Sequence, residues 1–172
     1  ALSNRNLIIN GAMQVAQRGT SVSSVTSSGY KTCDRWNVFG SSFGTYTVSQ
    51  SSTSPDGFAN SLKLDCTAAD GSPAAGDHLG VQIKFEGQDV QQLQKGTSTA
   101  KSVTVSFFVR SNKTGTYTLE LDDRDNTRSF SKTYTVDSAN TWEYKTITFA
   151  GDTTGALDDD NAWSLGLNWW LM

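Results

Sequence analysis

Two cysteines, one histidine and a charged fraction of 18% leave this 172-residue chain few of the groups from which reactive sites are built. Cys33 and Cys66 stand far apart and lack metal-ligand spacing, so two separately buried thiols are expected before a disulfide. His78 lies beside Asp77 at the start of a predicted strand, with no GxSxG segment to serve. A general base needs a nucleophile in an electrostatically prepared site, so His78 reads as an exposed strand-start residue. The low charge argues against long surface helices, which carry abundant Glu and Lys. Net charge is -3, the pI is near 5.0, and no dense Lys/Arg run occurs. Sequence-independent phosphate binding needs clustered cations, so no nucleic-acid partner is expected. No apolar stretch approaches the roughly 18 residues of a membrane span, so no membrane partner is expected either. Ala1-Leu2-Ser3-Asn4-Arg5 carries no basic segment followed by an apolar core and predicts no secretion signal.

What the chain has instead is Ser, Thr, Gly, Asn and Gln, the composition of polar-faced strands joined by glycine turns. Its length suits one domain, residues 1–172, with a core of its own. Period-2 alternation, the mark of half-buried strands, recurs throughout. It runs through Leu62 and Leu64, then Leu79, Val81, Ile83 and Phe85, then Val103, Val105, Phe107 and Val109. It continues through Tyr117, Leu119 and Leu121, through Phe130, Tyr134 and Val136, and through Trp163, Leu165, Leu167, Trp169 and Leu171. Between Trp142 and Phe149 the large residues switch from even to odd positions, which predicts a β-bulge near Lys145-Thr146. The Asn10-Gly11 turn between short apolar runs predicts a hairpin. Gly19 to Ser28 reads as a mobile loop, and only Gln88 to Gln94 suits a helical turn, with Asp89 near its start. About ten short strands between Asn-, Asp- and Gly-rich turns predict an all-β fold, an antiparallel β-sandwich of jelly-roll type with at most one short helix.

Three sets of residues are candidates for function. Glycosidases use two carboxylates, but Glu86, Glu120 and Glu143 lie on separate predicted strands and read as solvent-facing. The turn acids Asp122, Asp123 and Asp125, and the run Asp158-Asp159-Asp160, offer oxygens to calcium, the one cofactor the sequence suggests. Neither run has the glycine and terminal glutamate of an EF-hand loop, and solvated turn acids are the plainer reading. Of the five tryptophans, Trp169 shares a face with Leu165 and Leu167 and is expected in the core. Trp170 points the other way beside Asn168, either into a subunit interface or as a platform on which a sugar ring stacks. Asp34, Arg35 and Trp36 read as bracing, with an Asp–Arg pair steadying the loop that leads into a strand.

The opening Asn6-Leu7-Ile8-Ile9-Asn10-Gly11-Ala12-Met13-Gln14-Val15-Ala16-Gln17-Arg18-Gly19-Thr20, followed by Asp34-Arg35-Trp36, resembles the first segment of tail-fibre and other virion-surface proteins of tailed bacteriophages. Segments such as Ser61 to Cys66, Val81 to Val90, Val105 to Tyr117, Asn140 to Glu143 and Thr148 to Gly155 resemble the same family. The resemblance implies a galactose-binding-like jelly roll in a tail-fibre or surface-appendage module, serving assembly and adhesion to a host-surface glycan. It implies the virion surface as location, synthesis in the bacterial cytoplasm, and other virion proteins as partners. No catalytic residues come with it, and no enzymatic activity is expected. A capsid head-decoration protein, or a carbohydrate-binding module of a polysaccharide-degrading enzyme, fits the same residues. The apolar ending Trp169-Trp170-Leu171-Met172 would expose a sticky edge. Proteins of this family run on past it, so C-terminal strands are expected to be missing and a homotrimer is expected.

Overall fold

Alternating sequence makes strands, and strands with one apolar face must bury it against a second sheet. A computed structural model of the chain describes residues 6–172, and among these the chain is almost wholly β. Antiparallel sheets in a sandwich-like arrangement carry one short helix, as the alternation predicts. The chain falls into two compact units, the first ending at Ile83 and the second spanning Lys84–Leu171.

The first unit holds β1 (Ser21–Val25), β2 (Gly29–Tyr30), β3 (Trp36–Ser41), β4 (Thr45–Ser51), β5 (Ser61–Ala68) and the first part of β6 (His78–Glu86). One sheet runs β1-β4-β5, and β2, β3 and β6 pair in that order. Val38 lies directly opposite Val81, and Trp36 opposite Ile83. These residues, with Leu79, Val48 and Phe43, are buried. The segment read as a mobile loop contains β1, because Val22 pairs with Val48 and Val25 is buried.

The opening hairpin does not form. Residues 6–20 contain turns but no strand, because Asn10 supplies locally what strand pairing would have supplied. Asn10 sits in the left-handed region at φ +56°. Its Oδ1 accepts from Val15 N (3.0 Å), and its Nδ2 donates to Val15 O (2.9 Å) and Asp34 O (3.0 Å). Side-chain bonds of this kind compete directly with a β-ladder. Trp36 Nε1 donates to Asn10 O at 3.1 Å, and Asp34 Oδ1 accepts from Gln17 N at 3.2 Å. The cation on Asp34 is Arg18, at 3.4 Å. Arg35, expected in that place, turns the backbone instead at φ +72°. Cys33 and Cys66 are free thiols, as expected, but only Cys33 is buried; Cys66 lies exposed on β5. His78 opens β6 half-buried, its Nδ1 within 3.0 Å of Gly76 O.

The second unit holds the end of β6, α1 (Gly87–Val90) with a 3-10 turn over Gln91–Leu93, β7 (Val103–Val109), β8 (Gly115–Asp123), β9 (Arg128–Val136), β10 (Glu143–Phe149) and β11 (Trp163–Trp170). The helical turn thus falls where the sequence placed it. Gly87 is required there, because a Cβ would come within 1.9 Å of Asp158 O. Strand β7 pairs with β10, and β8 lies between β11 and β9. The two layers meet at Phe107, whose ring centre is 5.0 Å from that of Tyr134 and 5.7 Å from that of Trp169, both edge-on. Leu119, Val136, Phe149, Leu165 and Leu167 fill the rest of this core.

The predicted bulge in β10 is absent. Its register to β7 is unbroken from Glu143↔Val109 to Phe149↔Val103. The inward row is Glu143, Lys145, Ile147 and Phe149, so Tyr144 faces out and packs on Phe108, ring centres 5.1 Å apart. The inward polar pair is satisfied because Lys145 Nζ meets Glu143 Oε2 at 2.7 Å and Asp137 Oδ2 at 3.2 Å.

Candidate functional site: the polar face of β8 and β11

Strand alternation separates two sets of side chains on β8. Leu119 and Leu121 enter the core, while Thr118, Glu120 and Asp122 share the opposite face. Register completes that face. Asn168 lies opposite Glu120, Trp170 opposite Thr118, and Gly166 opposite Asp122. On the other flank Ser129, Ser131 and Thr133 lie opposite Asp122, Glu120 and Thr118. The result is a sheet face of hydroxyls, one amide, two carboxylates and one indole.

Its centre is hydrogen-bonded. Trp170 Nε1 donates to Glu120 Oε2 at 2.6 Å, a short charge-assisted bond. Asn168 Nδ2 donates to the same oxygen at 3.4 Å. Asn168 is buried and Trp170 is half-buried. Trp169, by contrast, is in the core. At the other end of β11, Trp163 carries two cations: Lys84 Nζ lies 4.0 Å over its ring centre and Arg124 Cζ lies 5.2 Å from it. Burial pushes the Lys84 ammonium below its ordinary range, and the nearby Arg124 charge adds to this.

Burial, with the charge of Glu120 beside it, holds the Asp122 carboxyl above the ordinary carboxylate range, against the opposing pull of Arg124. A group with its folded-state pKa raised contributes stability that is fully present below its unfolded pKa and is lost as pH rises through the folded one. Asp122→Asn, which fixes the neutral form, is therefore expected to melt about 2 °C above wild type at pH 7, after discounting for solvent screening. The difference should close as pH falls below the unfolded value of 3.8. Thermal melts of both proteins across that range test this; a gap that persists at low pH would contradict it.

The three acids considered for calcium are not brought together. Asp122 lies on the polar face, and Asp125 Oδ2 accepts from Asp158 N at 2.9 Å. Asp123 is completely buried and meets Lys95 Nζ at 2.5 Å. Lys95 also donates to Thr154 O (2.9 Å) and Gly155 O (2.8 Å) and pairs with Asp152 Oδ2 (3.0 Å). Burial alone would raise the Asp152 carboxyl, but the Thr154 N–H together with Lys95 and Arg128 hold it below its usual range. A lysine ammonium thus occupies a cage of four oxygens. Among the described residues no three His, Cys, Asp or Glu side chains are placed to hold a metal ion.

No protein-family model matches the chain. No curated protein matches it either. Among solved structures the chain is similar to the enzymatically active domain of tailspike protein 4 of bacteriophage CBA120, at 13% identity and a TM-score of 0.49. That match covers 96% of this chain, which spans only 19% of the tailspike domain's length. The chain is also similar to the C-terminal family 22 carbohydrate-binding module of Clostridium thermocellum Xyn10B, at 13% identity and a TM-score of 0.44, over 88% of this chain and 83% of that one. At these identities and scores neither likeness assigns a function.

Alternation in sequence placed Trp170 and Asn168 on one face. It missed Glu120 as their partner, which only the β8–β11 register supplies, and it missed Lys84 and Arg124, which come from other stretches of chain. Lys95 lies in a Gln- and Gly-flanked turn and carries no local signal of the acids it meets.

Proposed function

We propose that the chain is a carbohydrate-binding module that holds a glycan without cleaving it. The observation that supports this is the bonded trio of Trp170, Glu120 and Asn168 on the β8–β11 face. Sugar rings present apolar C–H faces that stack on indoles, while amides, hydroxyls and carboxylates satisfy their hydroxyl groups. The bond to Glu120 holds the Trp170 ring in place before any ligand arrives, and preorganisation lowers the entropy cost of binding. Glu120 Oε2 is already engaged by two donors, which suits an anchor for hydroxyls better than a reacting group. The resemblance of the opening segment to virion-surface proteins of tailed phages supports a place on the particle, as a tail-fibre or surface-appendage module among other virion proteins. There a homotrimer would make weak individual sites effective through multivalency.

Sedimentation with a panel of insoluble bacterial surface polysaccharides tests the proposal. Wild type is expected to pellet with at least one of them and to release no new reducing ends. Trp170→Ala is expected to bind about tenfold more weakly, the loss of one good stacking contact, with its melting transition retained. Failure to pellet with any polysaccharide, or full binding by Trp170→Ala, would overturn the reading.

A further inference from the structure

At the centre of the β8–β11 face the N–H donors converge on one carboxylate. An indole has a single N–H, and that of Trp170 is taken by Glu120 Oε2 at 2.6 Å. The Asn168 amide donates to the same oxygen at 3.4 Å and also bonds Asp122. Glu120 Oε1 receives no donor among the described residues. Charge is left over in the same place, because among the described residues Glu120 joins no ion pair. Asp122, two residues along β8, interacts with the charges of Arg124 and Lys84, and those cations gather at Trp163, the far end of β11. On the flanking strand β9, Lys132 donates to Thr148 O of the other layer at 2.7 Å. The residue opposite Glu120 on that flank is Ser131, a neutral hydroxyl. Both donors to Glu120 are neutral, so they satisfy one oxygen and leave the negative charge uncompensated. Glu120 is half-buried, where a charge acts more strongly than in open water.

We infer that the Glu120–Trp170 end of this face binds a protonated amino sugar, with the ring stacked on the indole and the ammonium paired with Glu120. The sugar ring rests on the carbohydrate reading above; the ammonium rests on the charge and the open oxygen of Glu120. A neutral hydroxyl satisfies Oε1 but leaves the charge in place, and a sugar acid brings a second negative charge against it. An ammonium donates to Oε1 and cancels the charge together, in a bond roughly twice as strong as a neutral one. Trp170 adds to the same preference, because the negative face of an indole attracts a cation held beside it. An amino group carried directly on the sugar ring suits the spacing. Ring and ammonium then lie within one residue of each other, as the indole and the carboxylate do across their 2.6 Å bond.

The Trp170 indole N–H resonance in a nitrogen-15 spectrum reads this end of the face directly, after assignment with Trp170→Phe. Glucose, N-acetylglucosamine and glucosamine hydrochloride are titrated separately, at constant ionic strength and at a pH where the free amine is protonated. The three sugars differ only at the second ring carbon, which carries a hydroxyl, a neutral amide or an ammonium. Glucosamine is expected to bind wild type about tenfold more tightly than either neutral sugar, the gain of one charge-assisted partner. Glu120→Gln, which keeps an acceptor of the same shape without the charge, is expected to bring the three affinities to within about twofold of one another. A preference is a ratio measured on one protein, so a general loosening of the face does not imitate its loss, and a retained melting transition shows that the variant folds. Glucose or N-acetylglucosamine matching glucosamine on wild type would overturn the amino sugar and leave the carbohydrate reading standing. A preference for glucosamine that survives in Glu120→Gln would overturn the role given to Glu120. Trp170 silent to all three sugars would overturn the carbohydrate reading and, with it, the amino sugar.

Discussion

Asp123→Ala should lower the melting temperature by on the order of 10 °C, the largest effect expected of a single polar substitution in this chain. Asp123 is fully buried, and its two oxygens are divided between partners. Oδ1 accepts from Asn126 N (3.2 Å) and Asn126 Nδ2 (3.1 Å), and Oδ2 faces Lys95 at 2.5 Å. Removing the carboxylate leaves the Lys95 ammonium, itself only 8% exposed, facing one remaining carboxylate that is already shared with Arg128. Breaking a buried pair by removing one partner costs about 3–5 kcal/mol, because the other charge stays behind without compensation. Replacing both charges by apolar groups of similar size is a different matter, since the desolvation penalty of the pair disappears with it. The double variant Lys95→Met/Asp123→Leu should therefore recover much of what Asp123→Ala loses, and Asp152 keeps Arg128, at 3.2 Å, as its cation. Urea unfolding of the three proteins decides the point. A double variant no more stable than Asp123→Ala would mean that the cage depends on its hydrogen-bonded geometry rather than on charge balance.

The same cluster shows where sequence reasoning stops. Strands and their faces are local properties: Leu119, Leu121, Leu165 and Leu167 announce themselves by spacing two apart, and the helical turn at Gly87–Val90 by a break in that spacing. Alternation fails where a side chain outcompetes it. Asn10 bonds its own loop and dissolves the expected hairpin. In β10, Tyr144 looked like a core aromatic by size, yet Glu143 and Lys145 take the inward positions because each satisfies the other's charge. The functional face was half legible for a related reason. Alternation orients Asn168 and Trp170, but what stands opposite them depends on register, and register is a property of two strands together. Lys95, Asp123 and Asp152 are joined only by the folded backbone, so nothing in any one segment marks them.

Two tryptophans adjacent in sequence should give opposite results when removed. Trp169→Ala is expected to cost about 3–5 kcal/mol, as large-to-small substitutions of buried aromatics do. The ring is 9% exposed, lies edge-on to Phe107 at 5.7 Å between centres, and its strand position is opposite Leu119, which is fully buried. Its loss opens a cavity at the place where the two layers of the second unit meet, and rigid neighbours on both sides limit collapse into it. Trp170→Ala removes a ring on the other side of the same strand. There the loss includes a charge-assisted hydrogen bond to Glu120, a carboxylate that water can reach once the indole has gone, so about 1.5–3 kcal/mol is expected. Urea midpoints of the two variants measure the contrast directly, and equal costs would contradict the assignment of faces. The order should reverse in the polysaccharide assay: Trp169→Ala, assayed under conditions where it remains folded, should bind as wild type does, and Trp170→Ala should not. A strand that gives its core to one indole and its ligand face to the next separates stability from recognition within a single residue step, because successive side chains on a β-strand point to opposite sides of the sheet.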